Sequence, residues 1–510
     1  FLERTQMEDV AKRPVRQVRE LNREDASTSR NSFEANSGSF GGSCVPKAPF
    51  KKGSDIIIYS HSLPPWVDGV ATRFTAHTEM LRKEGYRVHL LTMEENLDPA
   101  LRRMASSVTL LDAKPLHWYP AKRFPTQTLQ NLWRVWNACA CTAEPSIIHA
   151  TLCPSLPLFF LTACFRDVPI VVSVHTDSVT LLDKCGQPRW VVRLVKMLEP
   201  LSCWLCDATY TVSPSYAQIL KQRGVKCLDV TWGGFSDPAK FHPRRLDDNP
   251  AKRAAWREKL TFGAPQGAFI MAYAGRISPE KDLDFLLALQ RRFKSRGVWI
   301  ALLGDGPAAD VYQPLHGPEH QVYFVPGFLN HDDLADVFAS VDCMASASTF
   351  ETFGFSALEA LCTGTPVLAP RAQGLRDVVK HNAGGYLFDA KDLDSAAHFL
   401  ELLINQKEEL FPRDAVFAST SEFTASKCTA RTLLAYAHAR DARIASSQDG
   451  NLMMRVIKRA SRLLTGLVML FFMIAFYLIL TLPELAARAK GVWSKSETSA
   501  KLSAKEAKHA

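Results

Sequence analysis

The segment Glu351 to Glu359, E-T-F-G-F-S-A-L-E, holds residues whose types and spacing suit anion and hydroxyl recognition. Gly354, between Phe353 and Phe355, lets a ligand approach the main chain, and a helix starting near Phe355 turns free amides and its positive end toward that ligand. A diphosphate fits such a terminus. Glu351 before the helix and Glu359 within it can each accept hydrogen bonds from hydroxyl groups flanking the diphosphate. The plainer alternative is a solvated helix with two surface glutamates. A second group, Gly275-Arg276-Ile277-Ser278-Pro279-Glu280-Lys281, sets two cations five residues apart around a turn, where they can neutralise a departing diphosphate. Earlier in the chain, Pro64-Pro65-Trp66-Val67-Asp68-Gly69 forms a loop whose Gly69 brings main chain near a ligand. His175 follows the strand PIVVSV, and its ring is expected to project into the same cleft.

Such loops need strands to hold them. Short β-branched runs alternate with amphipathic helices: Asp55 to Ser60, Tyr86 to Thr92, Ser146 to Ala150, Pro169 to Val174 and Ala208 to Val212. A proline-marked break around Phe241 to Asn249 precedes a second set, Phe269 to Ala274, Val298 to Leu303, Val322 to Val325, Cys343 to Ala345 and Pro366 to Ala369. Alternation of strand and helix predicts parallel sheets, so the fold class is α/β, with two doubly wound Rossmann-like domains facing one another across a cleft. The strand VWIALL runs into Gly304-Asp305-Gly306-Pro307-Ala308-Ala309, which fits the dinucleotide pattern G-x-G-x-x-A. The first strand of neither domain carries that pattern, and Pro307 interrupts it, so an NAD or FAD enzyme is disfavoured.

The 510 residues carry 61 Lys and Arg against 52 Asp and Glu, a net +9. Residues 1–52 hold ten basic and seven acidic side chains, and 446–510 hold ten and four, so the tails account for the whole excess. A neutral middle argues against nucleic acid as a partner. The tail 1–52 reads as disordered, 53–245 as the first Rossmann-like domain, 246–445 as the second, and 446–510 as a basic tail. Within that tail Leu463 to Leu482 is uncharged and long enough to span a bilayer, so a C-terminal transmembrane helix is expected. The 12 cysteines mostly sit in apolar stretches and indicate a reducing compartment. Cys203 and Cys206 form a C-x-x-C pair without a second pair of metal-ligand spacing, and two thiols on a helix are the expected outcome.

The E-x7-E element, the G-R-I-x-x-E-K segment, the G-D-G-P turn, the glycine loop and the strand-end histidine together resemble a family 4 retaining glycosyltransferase of the GT-B fold. Sulfoquinovosyltransferases that make sulfolipid, and their mannosyltransferase neighbours, are similar at Gly69 to Phe74 (GVATRF), His149-Ala150-Thr151, Val174-His175-Thr176, Phe350 to Ala360 and Gly374. Where those enzymes often carry His after His175-Thr176, this chain has Asp177. The resemblance implies that 53–245 is the acceptor-side domain and 246–445 the nucleotide-sugar-binding domain, and that Arg276 and Lys281 hold the donor diphosphate, with Gly69 backing the phosphates. Glu359 would take the ribose hydroxyls, Glu351 and the amides around Gly354 the donor sugar, and His175 the sugar near the reaction centre. Phe353, Gly354 and Phe355 belong to the same donor-binding element.

The expected activity is metal-independent transfer of a hexose from a nucleoside diphosphate sugar to a membrane lipid, with no cofactor beyond that donor. UDP-sulfoquinovose to diacylglycerol is the favoured case, and a GDP-mannose or other UDP-sugar enzyme acting on a glycolipid is the alternative. An inactive nucleotide-sugar-binding membrane scaffold is the alternative of another class. The expected location is a membrane, through a single C-terminal pass: a plastid membrane for a sulfolipid enzyme, the endoplasmic reticulum or another endomembrane otherwise.

Overall fold

The computed structural model describes residues 50–471 apart from 67, 117–118, 141–146, 185, 228–233, 235, 265–266, 448–459, 462 and 469. It has two compact units, Ser236–Glu422 and the remaining described chain, called here the C-terminal and N-terminal units.

The N-terminal unit opens with β1 (Asp55–Tyr59), α1 (Gly69–Lys83), β2 (Arg87–Thr92), α2 (Pro99–Met104) and β3 (Ser107–Leu110). A hairpin of β4 (Ala113–Leu116) and β5 (Tyr119–Pro125) leads to α3 (Leu129–Ala140), β6 (Ile147–Thr151) and α4 (Leu156–Arg166). Then come β7 (Ile170–Val174), α5 (Ser178–Lys184), α6 (Arg189–Trp204), β8 (Ala208–Thr211) and α7 (Pro214–Gln222). Six parallel strands pair in the order β3-β2-β1-β6-β7-β8. The direction of strand addition reverses between β1 and β6, and in open parallel sheets ligands bind at the carboxyl ends beside such a switch point. Every residue of β1, β6, β7 and β8 is buried, which is why these strands read as continuous β-branched runs. Truncating one of them, for example Ile57→Ala, would cost about 2–5 kcal/mol.

The C-terminal unit contains α8 (Pro250–Leu260), β9 (Phe269–Ala274), α9 (Leu283–Arg292), β10 (Val298–Gly304), β11 (Val322–Pro326) and α10 (His331–Ser340). It continues through β12 (Cys343–Ala345), α11 (Phe355–Cys362), β13 (Val367–Pro370), α12 (Gln373–Val378), β14 (Gly385–Phe388) and α13 (Leu393–Leu410). Its six parallel strands run β11-β10-β9-β12-β13-β14, with the switch point between β9 and β12. The β3, β4, β5 and β14 segments are not among the expected strands: β3, β4 and β14 have only four residues each, β3 is half-buried, and β5 (YPAKRFP) contains no β-branched residue.

The sequence places 423–445 with the second domain, and the structure corrects this. The helix α14 (Ala425–Ser447) packs on β7, β8 and α1 of the N-terminal unit. Its Tyr436 and Ala439 are fully buried in the core formed by Ile58, Phe74 and Tyr210, so apolar burial assigns the helix to that unit. Among the described residues no helix is long and apolar enough to cross a membrane. The expected span Leu463 to Leu482 extends past them, since residues 472–482 lie outside the described chain, as does 1–49 of the expected tail.

Candidate active site

In the C-terminal unit, the loop after β9 is braced by the turn after β10. Gly275 and Ile277 donate backbone N–H groups to Leu303 and Asp305 carbonyls (2.9 Å each), and Ala308 donates to Ile277 (3.1 Å). Gly304 and Gly306 adopt φ of +145° and +159°, and a Cβ on them would lie 1.9 Å from the Gly275 oxygen and 2.3 Å from the Ile277 oxygen. The glycines of the G-x-G-x-x-A pattern therefore serve close approach of two strand ends. The Tyr273 hydroxyl donates to the Arg276 carbonyl (2.8 Å), and the Ser278 hydroxyl to the Glu280 carboxylate (2.7 Å), which shapes the turn carrying Arg276 and Lys281.

Glu351 lies in the loop after β12, the strand on the other side of the switch point. Its carboxylate is ion-paired with the Lys281 ammonium, and both side chains are only partly exposed. Gly374 N–H donates to the Glu351 carbonyl (2.7 Å), and a Cβ at Gly374 would lie 2.4 Å from the Thr352 oxygen, so the loop is pressed against α12. Gly354, at φ +97°, is the N-cap of α11, and among the described residues no side chain caps the first amides of that helix. They are open donors at a positive helix end. Phe353 is buried with its ring edge-on to Phe355 (5.0 Å), so the segment offers main chain rather than the Phe353 ring. Glu359, one turn into α11, is buried, and that burial pushes its carboxyl up to about 8. No cation among the described residues offsets this.

In the N-terminal unit, Gly69 is the first residue of α1, and Asp68 is its N-cap. The Asp68 carboxylate accepts from the amides of Val70 and Ala71 (2.9 Å each) and from the Ser62 hydroxyl (2.6 Å). This changes the expectation for Gly69: the helix end that would back a phosphate already holds its own anion.

His175 is also placed differently from the expectation. It follows β7, but its ring is 8 % exposed and turned into the unit, where Arg73 Nη1 lies 2.9 Å from Nδ1 and 3.1 Å from Nε2. Its Nε2 meets Ser173 Oγ (2.8 Å), which meets His149 Nε2 (2.8 Å). His149 Nδ1 meets the Tyr436 hydroxyl (2.8 Å), and that hydroxyl meets His77 Nε2 (3.1 Å). Burial, and then Arg73, hold His175 well below the ordinary imidazole range, burial does the same for His149, and burial lowers His77 to about 3. These rings are neutral. Sequence reasoning missed Arg73, which lies inside GVATRF but is a single cation in a helix, with nothing local to show that it is buried. Asp177 is 1 % exposed and bound by the Arg223 guanidinium (2.8 and 2.9 Å), so it is an interior ion-pair residue.

At the carboxyl ends of β1 and β2 a hollow is lined by Ser60, His61, Trp66, Thr92, Glu94 and Arg123. His61 Nδ1 contacts Thr151 Oγ1 (3.0 Å), and Trp66 Nε1 donates to Glu94 (2.8 Å). The C-x-x-C pair holds two free thiols, both raised by burial, in keeping with an inert helix end.

Residues 254–413 match the family Glycosyl transferases group 1, and residues 67–232 match Glycosyltransferase Family 4. The chain is 29% identical over 272 residues to the sulfoquinovosyl transferase SQD2 of Arabidopsis thaliana, covering 52% of this chain and 51% of that protein. It therefore spans about half the length of that relative. An uncharacterized glycosyltransferase of Methanocaldococcus jannaschii is 30% identical over 66% of this chain and 84% of its own length. A GDP-mannose-dependent alpha-mannosyltransferase of Mycobacterium tuberculosis is 27% identical over 68% of this chain and 88% of its own. Among solved structures, Anabaena HepE in complex with UDP-glucose superposes with a TM-score of 0.55 at 18% identity, over 74% of this chain and 98% of that one.

Proposed function

The chain belongs to the family 4 glycosyltransferases of the GT-B fold, and from this we propose that it transfers a hexose, with retention of configuration, from a nucleoside diphosphate sugar to a membrane lipid. The observation that carries the reading is the Lys281–Glu351 ion pair beside the uncapped end of α11. A cation, a hydroxyl-accepting carboxylate and open helix amides at one switch point suit a sugar diphosphate, whose charge grows as the glycosidic bond breaks. Arg276, Lys281 and the α11 amides stabilise that charge without a metal. Glu351 orients the sugar, and Glu359, buried beside no cation, gains hydrogen bonds from the ribose hydroxyls. His175, neutral and held by Arg73 inside the N-terminal unit, is not a proton acceptor.

Sulfoquinovose from its UDP donor to diacylglycerol is the favoured case, supported by the similarity to the Arabidopsis sulfoquinovosyl transferase. Mannose from GDP-mannose is the second reading, supported by the mannosyltransferase relative, which aligns over more of its length. The lipid acceptor is inferred from the apolar run Leu463 to Leu482, which would tether the enzyme at a membrane and raise its effective concentration there. A sulfolipid enzyme would sit on a plastid membrane, and a mannosyltransferase on another endomembrane. Thermal shifts with UDP-, GDP- and ADP-sugars, followed by transfer assays with diacylglycerol and glycolipid acceptors, test this. A shift with no nucleotide sugar would overturn it.

A further inference from the structure

We propose that the outer helix layer of the N-terminal unit, α3, α4 and above all α6, is a docking face for an anionic lipid bilayer. It deepens the lipid-acceptor reading and rests on it for its purpose, whereas the contact itself stands on the surface described next.

The strands β6, β7 and β8 advance in one direction through the sheet, so their right-handed crossovers put α4 and α6 on the same face, and α3 packs on α4. On α6, Trp190 (48 %), Met197 (57 %) and Trp204 (57 %) are exposed, spaced by seven residues, and so form one stripe. Arg193 lies within the stripe, and Arg189 and Lys196 run beside it, all three exposed. Val191, Leu198 and Cys203 face inward. No ion pair among the described residues holds any of the three cations. The acids nearby are exposed Asp183 on α5 and Glu199, which is buried and turned to Arg223 (3.4 Å). On the neighbouring helices Leu129, Trp133 and Phe165 are exposed as well.

Tryptophan beside uncompensated Arg and Lys is the composition of a helix lying in a headgroup layer, where the ring sits at the apolar boundary and the cations meet lipid phosphate. A second copy of the chain fits less well, because a two-fold contact would bring the same three cations together. The apolar C-terminal run also leaves from this layer. Gly466 lies against Phe160 and Leu161 of α4, with Leu464, Leu467 and Phe471 exposed around it, and the run continues past the described residues to Leu482.

The test uses the full chain and flotation with phosphatidylcholine vesicles, with or without phosphatidylglycerol, at low and high salt. The wild type should favour the anionic vesicles by on the order of tenfold, a preference lost at high salt. Arg189→Glu with Arg193→Glu should abolish that preference. Arg102→Glu with Arg103→Glu, an equal charge change on exposed α2, should retain it. Trp190→Ala with Trp204→Ala should weaken binding to both vesicle types. Equal binding of wild type to neutral and anionic vesicles, or an α6 variant that keeps the preference, would overturn the proposal. So would an α6 variant that changes only the sedimenting mass, which would make a second copy the occupant. Transfer to a short-chain soluble acceptor, measured in the same samples, separates the two readings: an inactive protein that still prefers anionic vesicles sinks the glycolipid function and leaves the docking face.

Discussion

Lys281, in the loop after β9, is ion-paired with Glu351, in the loop after β12, so the pair bridges the switch point of the C-terminal sheet. A diphosphate sugar arriving there competes for the ammonium while offering the carboxylate hydroxyl groups. The pair holds both side chains in place before the donor binds.

Glu351→Gln should lower turnover sharply while free UDP or GDP binds at least as well, because the unpaired Lys281 is then fully available to phosphate. Lys281→Ala and Arg276→Ala should each reduce turnover on the order of 10²-fold or more with unchanged melting temperature. Calorimetry and steady-state rates decide it, and weakened UDP or GDP binding in the Glu351 variant would refute the assignment.

Glu359 makes a pH prediction. Burial holds its carboxyl at about 8 in the folded protein, above the ordinary 4.5 of the unfolded chain, so the folded protein binds more protons between those values. Stability contributed by the protonated group is full below about 4.5 and is lost as pH rises toward 8, by up to about 1.4 kcal/mol per pH unit. Glu359→Gln should flatten that decline and also weaken nucleotide binding. Urea unfolding from pH 5 to 9 checks it, and an unchanged slope counts against the buried, uncompensated carboxyl.

The buried histidines act in the opposite direction. His77, His149 and His175 are depressed when folded, so the unfolded chain takes up more protons below about 6.5, and stability falls on acidification. His77→Gln should reduce the acid slope, and the turnover profile should show no protonation step from His175 between pH 5.5 and 8, the range about its ordinary value. Titration of the ring by NMR within that range would contradict the neutral assignment.

Turnover should survive excess EDTA, since Arg276, Lys281 and the α11 amides supply the positive charge. Loss of activity that magnesium restores would reveal a metal requirement.

Much of this was legible in the chain because it is local. Continuous β-branched runs such as Asp55–Tyr59 and Phe269–Ala274 specify strands buried on both faces, and their alternation with helices specifies parallel doubly wound sheets. The E-x7-E spacing puts Glu359 inside a helix and Glu351 before it, whatever surrounds them. The tertiary structure alone decided what depends on partners distant in sequence. It pairs Lys281 with Glu351 seventy residues away, and it places the Asp68 carboxylate on the first amides of α1 beside Gly69. It also brings Arg73 to His175 and Tyr436 to His149, and returns residues 423–445 to the first unit. Hydrophobic patterning sets which face of an element is buried, but whether a buried polar group finds a donor, an acceptor or a charge is settled only when separate elements meet, and in these sites that meeting sets protonation and access.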